Sequence, residues 1–145
     1  MRSKIRCAIV SSRKEPFTPL EDVLAALPIK TLHAQNIAKT EKLLRGPSPP
    51  HLVWTDAFLS DGNWLDVLNI AQQINEKVNV VVLSPHADMR LYLDVMNHGA
   101  FDFVTESFTV PELVHVLRAA ITDTYRRRTD PVQVPSGKLA WNFPV

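Results

Sequence analysis

Five polar side chains of this 145-residue chain stand directly after short apolar runs: Ser11 and Ser12 after Ile5–Val10, Asp56 after Leu52–Thr55, Ser84 after Val78–Leu83, and Glu106 after Phe101–Thr105. Two carboxylates and three hydroxyls brought together could hold a cation between them. They could also share a proton between Asp56 and Glu106, because neighbouring carboxylates resist double ionisation and titrate as a pair. Serine nucleophile chemistry fits less well, since no histidine stands in a motif that would activate Ser11 or Ser12. His33, His51, His86, His98 and His115 lack metal-ligand spacing on a helix face. Of these only His86, two positions after Ser84, could turn toward the same place. No glycine-rich phosphate loop is present.

The elements that must position these residues are legible in turn. Ile5–Val10 is short, apolar and β-branched, as expected of a buried strand feeding a loop. Thr18, Pro19 and Glu21 predict a capping-box start to a helix over Pro19–Leu27, with Leu20, Val23, Leu24 and Leu27 on one face. Ile29–Ala34 predicts a second strand nearer a sheet edge, broken by Lys30, Thr31 and His33. Asn36 caps a helix to Arg45, and Gly46 supplies a left-handed stop before a Pro-rich connector to Pro50.

Leu52–Thr55 is the third strand, followed by a polar loop through Gly62 and a helix over Trp64–Glu76 whose inner face is Leu65, Leu68, Ala71 and Ile74. Val78–Leu83 has the continuous apolar character of a central parallel strand. Asp88–His98 then forms a helix closed by Gly99, and Phe101–Thr105 a fifth strand. Thr109 and Glu112 form a capping box opening a last helix toward Tyr125. Five strand and helix alternations imply an α/β doubly wound parallel sheet covered by helices on both faces, with its functional crevice at the carboxyl ends of the strands.

In the order of its elements, and in Leu52-Val53-Trp54-Thr55-Asp56, Val80-Val81-Val82-Leu83-Ser84 and Gly99-Ala100-Phe101-Asp102-Phe103, the chain resembles the response-regulator receiver family over roughly Lys4–Thr124. The resemblance implies a (βα)5 flavodoxin-like three-layer sandwich with strand order 2-1-3-4-5. It implies Asp56 as the phosphoacceptor position, Ser84 as the hydroxyl facing the phosphoryl group, and Phe103 as the switch aromatic. It also implies signalling to protein partners, a histidine kinase or an output protein, rather than enzymatic turnover. A homodimer through the fourth helix, fifth strand and fifth helix would use Met89, Tyr92 and Val95.

The same resemblance exposes departures. The family's acidic pair after the first strand, which holds magnesium, is Ser11 and Ser12 here, and neutral hydroxyls are poor ligands for so hard a cation. Asp56 alone would bind magnesium weakly or not at all, and no other cofactor is expected. The family's lysine after the fifth strand is Glu106, and the proline that follows it is Ser107. At a separation near 4 Å and an effective dielectric of about 20, each such charge exchange is worth about 4 kcal/mol at most. The pocket is therefore expected to be degenerate unless Arg13, Lys14 or Arg90 is carried inward by a loop. Ser60 and Trp64 also replace a common proline and glycine, and Trp64 is expected to pack on the loop.

Composition limits the remaining choices. A formal net charge of +1 gives no global field toward nucleic acid, and the single Cys7 excludes an internal disulfide. Met1–Val10 is too short and interrupted for a signal peptide, so a cytoplasmic protein with no membrane contact is expected. Arg126, Arg127 and Arg128 suit the carboxyl end of a helix. Residues 1–128 are expected to form the domain and 129–145 a tail whose Trp141 and Phe143 pack back or meet a partner. A conventional receiver phosphorylated on Asp56, and a small flavodoxin-like enzyme or ligand-binding domain, remain the alternatives.

Overall fold

The computed structural model describes residues 5–13 and 17–129. Lys14 and the segment holding Trp141 and Phe143 lie outside the described residues. Strands β1 (Ile5–Val10), β2 (Ile29–Ala34), β3 (Leu52–Asp56), β6 (Asn79–Ser84) and β7 (Asp102–Thr105) form one parallel sheet in the order β2-β1-β3-β6-β7. The order reverses between β1 and β3, where neighbouring loops diverge to opposite faces and leave a crevice.

Side-chain alternation divides the core in two. Cys7, Ile9, Leu52, Trp54, Val81, Leu83 and Val104 point to the face covered by α1 (Thr18–Ala25) and α5 (Val110–Arg128). Ala8, Val10, Val53, Val80, Val82 and Phe103 point to the face covered by α2 (Ile37–Leu44), α3 (Trp64–Gln73) and α4 (Met89–Asn97). Strands β3 and β6 are buried along their whole length, whereas edge strand β2 is half-exposed. Burial pushes the Cys7 thiol up to about 12, so it fills space rather than reacting.

Several helix ends follow their capping residues. Asn36 accepts from the Lys39 N–H, Asp88 from the Leu91 N–H, and Thr109 and Glu112 close a full capping box. Gly99 has φ of 99°, the left-handed stop expected for α4.

Five local expectations need correction. The N-cap of α1 is Phe17, not Thr18: its ring is buried, its carbonyl accepts from Leu20 and Glu21, and Pro19 sits where a missing N–H is harmless. Gly46 is not left-handed, because α2 closes through Arg45 with ordinary backbone angles. The polar loop after Asp56 contains a small antiparallel hairpin, β4 (Phe58–Leu59) with β5 (Gly62–Asn63), and α3 ends at Gln73 where Ile74 turns extended. Val95 is fully buried, so it belongs to the core and not to a surface interface, while Met89 and Leu93 of the same helix are 70% and 51% exposed.

At the amino ends of the strands a polar cluster ties α5 to the sheet. Arg128 donates to the carbonyls of Lys77 (2.7 Å) and Pro50 (2.7 Å), and Arg6 donates to Pro49 (2.8 Å). His51 stacks on Tyr125, and its Nδ1 accepts from the Arg6 N–H at 3.1 Å. Burial, then the charges of Arg128 and Arg6, pull the His51 pKa from 6.5 down to about 4.

Between those two values the unfolded chain binds a proton that the folded chain refuses, so stability is full above about pH 6.5 and falls as pH drops toward 4. Relative to His51→Asn, which keeps an acceptor but cannot titrate, the native chain should lose about 2 kcal/mol between roughly pH 7.5 and pH 5. Urea denaturation of both proteins at the two pH values measures this. Equal losses would show that His51 is not the titrating group.

Candidate functional site

The crevice is assembled by the turns after β1, β3 and β7. Asp56 ends a fully buried strand and is itself only 6% exposed, so its carboxylate needs partners nearby. Ser11, just past β1, donates its hydroxyl to Asp56 Oδ2 at 2.6 Å. Arg13 then folds inward and grips the carboxylate with two N–H groups: Nε to Oδ2 at 3.1 Å and Nη2 to Oδ1 at 3.2 Å. Its remaining arm, Nη1, donates to Glu106 Oε2 at 3.0 Å. A single guanidinium thus bridges the two carboxylates that strand ends bring into one crevice.

Both oxygens of Asp56 are engaged, one of them twice. The fork geometry of arginine suits this bidentate contact, which is the stronger class of charge-assisted hydrogen bond. Burial alone would push the Arg13 pKa down, but the hydrogen bond to Glu106 and the charge and hydrogen bonds of Asp56 outweigh it, and the net shift is upward. The two arms are unequal in setting. The Asp56 side chain is 8% exposed and that of Glu106 is 44% exposed.

Other residues expected in the pocket turn elsewhere. The Ser12 hydroxyl donates to the Gln35 carbonyl (2.5 Å) and accepts from the Ser60 N–H (3.0 Å), away from Asp56. Ser84 donates to the carbonyl of His86 at 2.9 Å, and its hydroxyl is spent on its own turn. Phe103 is buried and meets Tyr92 of α4 edge-on, with ring centroids 5.8 Å apart. Trp64 opens α3 with its indole buried, edge-on to His98 at 5.5 Å. Ser107 bonds Thr105 across 2.8 Å, and Arg90 makes no hydrogen bond to the crevice among the described residues.

Among the described residues no group of three or more His, Cys, Asp or Glu side chains is placed to hold a metal ion, and no helix is long and apolar enough to cross a membrane. Sequence reasoning missed the hairpin residue Asp61. Its carboxylate accepts from the Ile37 N–H at 2.8 Å and the Ala38 N–H at 3.3 Å, at the start of α2. The only prior signal was an acidic residue beside a turn glycine.

Known proteins resemble this chain over part of their own length. The response regulator protein PilR of Pseudomonas aeruginosa is 26% identical over 119 residues, covering 82% of this chain and 26% of the relative. The transcriptional regulator NtrC of Proteus hauseri is 24% identical over 68% of this chain and 20% of its own length. For the response regulator TodT of Pseudomonas putida the figures are 27%, 54% and 35%. The chain therefore spans about a fifth to a third of the curated relatives it matches. No family model matches it.

Solved structures of like fold include the receiver domain of a putative Luxo repressor protein from Vibrio parahaemolyticus, with TM-score 0.77 at 18% identity over 93% of this chain and 100% of that one. The receiver domain of an HD domain-containing protein from Pseudomonas fluorescens gives 0.77 at 22% identity over 88% and 94%. The curated relatives are response regulators and the structural neighbours are receiver domains, and the chain shares the fold of the latter.

Removing Arg13 leaves a buried carboxylate with Ser11 as its remaining side-chain donor among the described residues. Arg13→Ala should destabilise the fold by about 1–2 kcal/mol, whereas Glu106→Gln, which touches an exposed arm, should stay within about 0.5 kcal/mol. Combining Arg13→Ala with Asp56→Ala should recover about 1 kcal/mol of the summed losses. Urea denaturation of the cycle checks this, and strict additivity would mean that the ion pair contributes nothing.

Proposed function

We propose that the chain is a response-regulator receiver domain, degenerate as a phosphoswitch and signalling through protein contact, with Arg13 serving as the fixed counter-cation of Asp56. The single observation that carries this reading is the bidentate grip of Arg13 on both oxygens of Asp56, with Glu106 on its far side. Phosphoryl transfer to Asp56 needs a carboxylate oxygen free to attack and positive charge around the transferring group. Arg13 is carried inward, as a rescued pocket would require, but its donors are spent on the resting carboxylate, so each oxygen already accepts a charge-assisted hydrogen bond.

The residues present do not suit a magnesium ion. Ser11 and Ser12 bring hydroxyls where the metal would want carboxylates, and both hydroxyl protons are committed, one to Asp56 and one to the Gln35 carbonyl. The Asp56 and Glu106 carboxylates are joined by a cation that a divalent ion would first have to expel. A phosphoryl group would add a charge of roughly −2 beside Glu106, and Arg13 offsets one unit of it.

Partner contact is supported by the exposed apolar side chains of α4. Met89, Leu93 and Tyr92, 38% exposed, stand on the same side of the sheet as the buried Phe103, and Tyr92 touches its ring. Through this contact a partner on α4 is linked to the strand whose end carries Glu106. A histidine kinase or an output protein is the natural class of partner, and a second copy of the chain using α4, β7 and α5 is a third. The near-neutral formal charge does not favour nucleic acid.

The test is amide NMR with beryllofluoride or acetyl phosphate in millimolar magnesium. The native chain should show no saturable shifts at Asp56, Ser84 or Phe103. A repaired variant carrying Ser11→Asp, Ser12→Asp, Arg13→Ala and Glu106→Lys should show them. Saturable shifts in the native chain would instead establish a conventional receiver phosphorylated on Asp56, with Arg13 turning to the phosphoryl group.

A further inference from the structure

Hairpin Phe58–Asn63 has only two residue pairs, Phe58 with Asn63 and Leu59 with Gly62, and a ribbon that small does not hold itself together in water. Its base is fixed by the Ala57 N–H donating to Leu83 and the Trp64 N–H donating to Ala57, each at 2.9 Å. Its tip is fixed from outside. Asp61 caps the first two N–H groups of α2, satisfying donors that the helix itself leaves open, and it places a negative charge at the favourable end of the helix dipole. The next residue, Gly62, lies so close to Ile37 and the Asp66 carboxylate that any side chain there would press on both.

The other residue at the tip, Ser60, donates its N–H to Ser12, whose own proton goes to Gln35 at the foot of α2. Three loops that are distant in sequence therefore close into a ring of hydrogen bonds: the turn after β1, the turn before α2 and the hairpin. Ser12 sits in that ring, and the next residue is Arg13. Ser11, on the other side, receives the Arg13 N–H at 3.2 Å and donates to Asp56. Without Asp61 the contacts of the hairpin tip with Ser12 would be two exposed, neutral ones, the Ser60 N–H to the Ser12 hydroxyl at 3.0 Å and the two hydroxyls at 3.3 Å.

We infer that Asp61 is a positioning residue for the Arg13–Asp56 contact, acting through the hairpin and Ser12 to couple the amino end of α2 to the cation of the crevice. This rests on the proposed role of Arg13. It adds that the cation is held in place by a carboxylate it never touches, and that the state of α2 is readable at Asp56. A free α2 terminus would loosen Arg13 although no residue of the crevice had been altered.

The experiment is hydrogen exchange of the Arg13 side-chain Nε–H, followed by NMR in the full chain. In the native protein this proton should be observable and protected. Asp61→Ala should speed its exchange roughly tenfold or more, and Gly62→Ala should do the same by pressing the hairpin off α2 with no change of charge. Asp88→Ala, which removes an equivalent cap from α4, should leave it within about twofold and controls for general loss of stability. Absence of protection in the native chain overturns the role proposed for Arg13 and this inference with it. Protection that survives both Asp61→Ala and Gly62→Ala overturns the inference alone, as does equal loss in Asp88→Ala.

Discussion

An ionised carboxylate at the carboxyl end of a strand that is buried along its whole length cannot stand alone, and the arrangement around Asp56 follows from that constraint. The doubly wound sheet puts the end of β3 beside the end of β1, and β7 lies two strands away. The turn after β1 supplies both a hydroxyl and a guanidinium. Because Arg13 is long and forked, it can satisfy Asp56 with two of its N–H groups and still reach Glu106 from the turn after β7. The crevice is closed by one side chain, and three turns are held together by it.

The opposite pole of the sheet solves a different problem with similar materials. There the arginines, Arg6 and Arg128, donate mainly to backbone carbonyls, with Glu76 3.4 Å from Arg128, and the imidazole among them, His51, has its pKa pulled down. Two cations and a buried imidazole are compatible only if the imidazole accepts rather than donates at Nδ1, which the Arg6 N–H ensures.

The fold was legible because its signals are local. Period-two burial, continuous apolar runs in β3 and β6, and the caps at Asn36 and Thr109 depend on neighbours in sequence. The start of α1 was misread because the burial of Phe17, a tertiary effect, overrides the capping preference of Thr18. The hairpin escaped because two-residue strands carry no period. Within the crevice, Ser11, Asp56 and Glu106 could be placed from topology, since strand ends converge whatever follows them. The orientations of Ser12 and Ser84 could not, because a hydroxyl turns to the nearest unsatisfied carbonyl. Arg13 stood in the sequence beside Lys14 and near the other cations, and nothing in its spacing says which one folds inward. Asp61 finds its partner 24 positions away, a separation that no motif records.

Helix α5 runs without a break for 19 residues, from the crevice side of the sheet to the carbonyls gripped by Arg128. At 1.5 Å per residue its length is roughly 28 Å. Its far end is tied down by the carbonyls that accept from Arg128, so any displacement of the helix at the crevice end would be resisted at its base.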